Sequence, residues 1–136
     1  MVKTLVFLLL SFLSCIGFQD NEILSFEYGA STRGLSMKVI IRKDSTFVWD
    51  QGKETKMKTS RPDWVLLNQR IAQFDLKKME LLEAPTEERY SDKALSAKLI
   101  VTTKSHSYES NEFDHGNSPE EINNIVEVLT LYLPSE

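Results

Sequence analysis

Arg89, Tyr90, Asp92, Asp114 and His115 are the side chains whose types and spacing can support chemistry in this chain. If Lys104-Ser105 is the turn of an antiparallel hairpin, paired residue numbers sum to about 209. Ala94 then faces His115, and Asp92 falls beside Asn117. The polar loop Thr86–Asp92 meets Asp114-His115-Gly116 at one end of a sheet. A carboxylate beside an imidazole orients its tautomer and raises its basicity, as a general base requires. Asp92, Asp114 and His115 are equally suited to hold a divalent cation with mixed oxygen and nitrogen ligands. A structural role competes with both: Arg89 pairs with Asp92 or Asp114 and pins the loop, while His115-Gly116-Asn117 turns the chain toward its last helix. That role is the stronger expectation. The five residues therefore stand as a binding cluster, with no catalytic residue, cofactor or metal assigned.

Other constellations are missing. The chain has no G-x-S-x-G, S-x-x-K, Walker loop, dinucleotide fingerprint, H-E-x-x-H or paired C-x-x-C. With His106 and His115 as the two histidines, a multi-histidine metal site cannot be built.

The elements that must position the cluster follow from hydrophobic periodicity. Leu24, Phe26 and Tyr28 alternate in Glu22–Tyr28, a strand. Gly29–Gly34 reads as a glycine-bounded loop. Met37, Val39 and Ile41 share one side of Ser36–Lys43, with Lys38 and Arg42 opposite. Asp44-Ser45 turns into Thr46–Asp50, where Phe47 and Trp49 share a face, and Gln51-Gly52 turns into the lysine-rich edge strand Glu54–Thr59. Pro62 and Asp63 belong to the first turn of a helix whose apolar stripe is Trp64, Leu67, Ile71 and Phe74. A short helical turn is expected in Asp75–Leu82, an irregular stretch over Glu83–Lys93, and a hairpin of Ala94–Thr103 with His106–Phe113. Ser118-Pro-Glu-Glu121 spells a capping box for a helix lined by Ile122, Ile125, Val126, Leu129 and Leu133. The order β-β-β-β-α-β-β-α predicts an α+β fold: an antiparallel sheet of about six strands with both helices on one face. Phe26, Tyr28, Trp49 and Trp64 are in phase with apolar neighbours and are expected in the core.

The amino terminus carries an address. Lys3 precedes the apolar run Leu5–Leu13, which is followed by Ser14 and Cys15, the layout of an export signal. Nine residues of helix rise about 14 Å at about 1.5 Å each, far short of a roughly 30 Å hydrocarbon core. Phe12-Leu-Ser-Cys15 resembles a lipobox, with Phe12 where Leu is usual. Cleavage before Cys15 then makes 1–14 a signal peptide, 15–21 a tether and 22–134 the single domain. Cleavage after Gly17 would instead release a soluble protein. Cys15 is the sole cysteine, so no internal disulfide can form, and lipidation accounts for its presence. Two or more acyl chains would anchor the chain stably to a membrane.

Removing fourteen residues from 136 leaves 122, and removing Lys3 leaves 15 basic against 20 acidic residues, a net charge of −5. Such a chain fits one domain with its own core. Its charge balance argues against nucleic acid as a partner and offers no overall attraction to anionic lipid.

The meander turning at Asp44-Ser45, the Trp64-centred helix, the Ala84-Pro-Thr…Arg89…Asp92 loop and the Phe113-Asp-His-Gly116 segment before Ser118-Pro-Glu-Glu121 form a recognisable layout. It resembles small bacterial lipoprotein domains of unknown function. The resemblance implies a single exported, envelope-associated domain and supplies no catalytic residues. The expected function is a non-enzymatic binding module of the cell envelope, anchored by lipid and facing a protein partner. One alternative is a small envelope enzyme, acid/base or metal-assisted, using Asp92, Asp114 and His115. Another is an inhibitor presenting the Gly29–Gly34 or Ala84–Ser91 loop.

Overall fold

A computed structural model describes residues 21–135. The expected signal peptide 1–14, the lipidation site Cys15 and all of the tether except Asn21 lie outside the described residues. Seven strands form one antiparallel sheet: β1 (Ile23–Thr32), β2 (Leu35–Arg42), β3 (Ser45–Asp50), β4 (Lys53–Lys58), β5 (Ser96–Thr103), β6 (Ser107–Glu109) and β7 (Phe113–Asp114). Their spatial order is β4-β3-β2-β1-β5-β6, with β7 also pairing β5. Helices α1 (Arg61–Ile71) and α2 (Glu120–Thr130) complete the α+β architecture.

Alternation sorts the sheet into two faces. Phe26, Tyr28, Val39, Ile41, Leu99 and Val101 are fully buried on one face. There they meet Leu67 and Ile71 of α1 and Ile122, Ile125 and Leu129 of α2. Trp64 packs edge-on against Phe26 with ring centroids 5.7 Å apart. The intervening residues Glu27, Lys38, Ile40, Phe47, Trp49 and Ile100 are only half-buried and carry the open face. Trp49 is therefore not a core residue. Thr46 and Val48 take the buried phase of β3, and Trp49 stacks on Phe47 at 5.8 Å outside it.

Tight turns agree with the residues that make them. Gln51 and Gly52, at φ 49° and 82°, join the paired ends Asp50 and Lys53, the left-handed pair that a two-residue hairpin of this twist demands. Every residue of β4 is exposed, and Lys53, Lys56 and Lys58 make its free edge a poor template for another strand.

Three further expectations change. Gly29–Gly34 is not a loop: β1 continues to Thr32, Gly29 pairs with both Lys38 and Lys98, and Ala30 is buried. Being flanked on both sides by strands outweighs the weak strand propensity of glycine. The Ser118 capping box does not form. Pro119 is extended, with ψ 138°, so α2 begins one residue later and has no side-chain cap. Ser118 Oγ instead donates to Asn123 Oδ1 at 2.8 Å. Finally, the hairpin register slips. Ile100↔Glu109 and Thr102↔Ser107 follow the expected pairing, but Ala97 faces Phe113 and Ser96 faces Asp114. One extra residue is therefore inserted after Ser110, a β-bulge. Without it Glu112, not Phe113, would stand opposite Ala97 on the core face.

Truncating Ile125 to Ala is expected to lower unfolding free energy by about 2–5 kcal/mol, whereas Val65→Ala on exposed helix surface should change it by no more than about 0.5 kcal/mol. Urea denaturation of both variants checks the contrast.

Candidate functional site

The bulge decides what the candidate residues can do. A one-residue slip transfers side chains to the opposite face of a sheet. Phe113 and His115 consequently point to the core side, and Asp114 points the other way, beneath the loop that follows α1.

That loop begins with a 3-10 turn at Leu76–Leu81 and contains a second at Glu88–Ser91. Its middle is gathered around one carboxylate. Asp114 is 1 % exposed. Its Oδ2 accepts from the Thr86 hydroxyl and from the Glu88 amide at 2.8 Å. Its Oδ1 accepts from the Arg89 amide at 3.0 Å and from Arg89 Nη1 at 3.1 Å. An ionised carboxylate has about four acceptor positions, and all are used. Burial alone would raise the Asp114 pKa. The bonds from Thr86, from the Arg89 and Glu88 amides and from the Arg89 guanidinium outweigh it and hold the carboxyl well below the usual carboxylate range.

Arg89 is nearly as enclosed, with its side chain 8 % exposed. Nη1 also donates to the Thr86 carbonyl at 2.8 Å. Nη2 donates to the Tyr90 hydroxyl at 3.2 Å, and the guanidinium lies 4.4 Å from the centre of the Tyr90 ring. Burial pushes the Arg89 pKa down, and the bonds and charge interactions with Asp114 and Tyr90 together more than reverse that, so the guanidinium is held charged. Tyr90 is 73 % exposed. It covers one wall of a recess of about 570 Å³ whose other walls include Lys98, Ser110, Asn111 and Glu112. Lys98 is itself paired with Glu109 across β5 and β6.

Arg89, Tyr90 and Asp114 thus come together, and the other two candidates stand apart from them. Asp92 is exposed and serves as a backbone device: its φ of 57° closes the Glu88–Ser91 turn. The His115 ring meets Tyr28, whose hydroxyl lies 2.7 Å from Nδ1, and burial raises the Tyr28 pKa. With every acceptor position of Asp114 occupied, no carboxylate–imidazole dyad is assembled from Asp114 and His115. Among the described residues, no group of three or more His, Cys, Asp or Glu side chains is placed to hold a metal ion.

Thr86 and Tyr28 are the partners that sequence reasoning missed. Thr86 Oγ1 joins the two halves of the site, donating to Asp114 and accepting from Asn117 Nδ2 at 3.0 Å. Nothing in an irregular loop marks one threonine as a ligand of a carboxylate many residues away. Tyr28 shows in sequence only its apolar phase.

Asp114 supplies a pH dependence with a definite sign. Its folded pKa lies below the unfolded value of about 3.9, so its contribution to stability is complete above that value and is lost as pH falls toward the folded pKa. Unfolding free energy should therefore decline with acidification below about pH 4, and Asp114→Asn should flatten that decline by about one proton. Denaturant titrations between about pH 2 and about pH 6 read this directly. Thr86→Val should cost about 1–3 kcal/mol and expose the Ala84–Asp92 segment to proteolysis. Comparison with protein-family models, with curated proteins and with solved structures finds no match to this chain.

Proposed function

We propose that this chain is an exported bacterial lipoprotein whose domain is a binding module of the cell envelope rather than an enzyme. The observation that carries binding over catalysis is the saturation of Asp114. A carboxylate with four donors already on it has no lone pair for a substrate proton or a cation. The Asp114–Arg89 pair is better suited to hold an edge of the sheet rigid. Export and anchoring rest on Lys3, the Leu5–Leu13 run and the solitary Cys15.

The surface offered to a partner is the open face of the sheet. Phe47 and Trp49 stand there as a stacked pair, with Lys38 Nζ 5.0 Å from the Trp49 ring and Arg42 and Lys56 over Phe47 at 5.5 and 5.4 Å. Half-exposed aromatics with flanking cations suit the centre of a protein interface, where aromatic residues and arginine dominate binding energy. The strands beneath are fixed by the core, so the platform is ordered before any partner arrives, and binding costs little further ordering.

Intact mass of the membrane-extracted chain beside a Cys15→Ser variant tests the anchor. The expected result is a mature chain beginning at Cys15 and carrying acyl chains, with the variant left unprocessed and unacylated. Recovery of an unmodified Cys15 chain would overturn the lipoprotein reading.

A further inference from the structure

We infer that the end of the sheet from which the N-terminal segment leaves is a lipid-facing surface, in which Lys43, Lys58 and Arg61 lie against anionic, phosphate-bearing headgroups. The inference deepens the lipoprotein reading and rests on its anchor at Cys15.

Antiparallel pairing brings these residues to one end. Ser25 of β1 pairs with Arg42 of β2 and with Thr102 of β5, and Ser45 of β3 pairs with Lys58 of β4. The start of β1 therefore shares an end of the sheet with the Lys43-Asp44 turn, the exit of β4 and the start of α1 at Arg61. Thr59 ties these pieces together. Its hydroxyl donates to the Arg42 carbonyl at 2.6 Å, and its amide donates to the Asp44 carbonyl at 3.3 Å. Lys43, Lys58 and Arg61 are all exposed. Among the described residues none of the three has a carboxylate within ion-pair distance, and Asp44 is the acid between them. Lys104, at the same end, is paired with Glu22.

The opposite end is acidic. Acids outnumber bases there: Glu87, Glu88, Asp92, Glu112 and Asp114 lie in the bulged β7 edge and the loop beside it and Glu120 and Glu121 open α2, against Arg89 and Lys93 in the same loop and Arg33 and Lys53 at the neighbouring turns. A chain with a net negative charge is thus dipolar once folded, and its positive end is the end nearest the anchor. Five residues lie between Cys15 and Asn21, and the six backbone steps reach at most about 21 Å when fully extended. That leash keeps the start of β1 close to the headgroups. Screening acts over about 8 Å at physiological salt, so the cations act only if this end is held against the surface. A leash so short does that.

The processed, acylated full-length chain, reconstituted in vesicles, provides the test. Amide hydrogen exchange is followed in neutral phosphatidylcholine vesicles and in vesicles containing phosphatidylglycerol. The expected result is slower exchange at residues 43–46 and 59–63 with phosphatidylglycerol, relieved by high salt, while residues 86–92 exchange equally in both. Each cation is worth about fivefold in surface residence, so Lys43→Gln/Lys58→Gln/Arg61→Gln should reduce the protection by about a hundredfold. Lys93→Gln at the far end should leave it unchanged. Retention on both vesicles with identical exchange overturns the lipid-facing surface and leaves the anchor intact. A chain that fails to float with neutral vesicles overturns the anchor, and this inference with it.

Discussion

A carboxylate withdrawn from water must recover through the protein what it loses in hydration, and Asp114 organises one edge of this molecule by doing so. Its donors come from Thr86, Glu88 and Arg89, all within a loop with little regular structure of its own. The acceptor at the centre draws those groups together, and it would be costly to bury without them. The loop and the carboxylate are therefore mutually dependent. Removing one partner of such an enclosed pair leaves an uncompensated charge, which is why breaking it is far more disruptive than never having built it.

The β-bulge beside it explains how this arrangement coexists with a continuous core. Ser110 stays in register, with its amide donating to the Leu99 carbonyl at 2.9 Å. By Phe113 the pairing has advanced by one residue. That advance sends Phe113 inward against Tyr28, with ring centroids 6.2 Å apart, and sends Asp114 outward under the loop. Strand alternation sends Asp114 and His115 to opposite sides in either register, and the bulge decides that His115 takes the core side.

The two faces of the sheet then take different roles. The helix-covered face contains the fully buried aromatic and aliphatic residues. The open face keeps half-exposed aromatics interleaved with lysine, arginine and glutamate, including the Lys38–Glu27 pair at 3.8 Å. Aromatic rings under cations are stabilised where they stand, which reconciles Trp49 with solvent without burying it.

Much of this was written locally and could be read locally. Alternation in β1, β2, β3 and β5, the Gln51-Gly52 turn and the stripes of Leu67 with Ile71 and of Ile122 with Leu129 depend on neighbours a few positions away. Their periodicity therefore announced an antiparallel sheet with two helices. The expectation of an export signal, drawn from Lys3, the Leu5–Leu13 run and Cys15, is equally local. Other features depended on partners far along the chain. Gly29 lies in a strand because β2 and β5 flank it, and Ser118 forgoes its cap because Asn123 and an extended Pro119 compete for it. Trp49 faces outward because Val48 claims the inner phase. The bulge after Ser110 is a choice between burying Phe113 and burying Glu112, and only the assembled core can make it. Period and turn chemistry are properties of short segments, so composition and spacing were enough to establish them. Register, the side a residue faces and the saturation of Asp114 are long-range balances of burial against hydrogen bonding, and only the folded molecule resolves them.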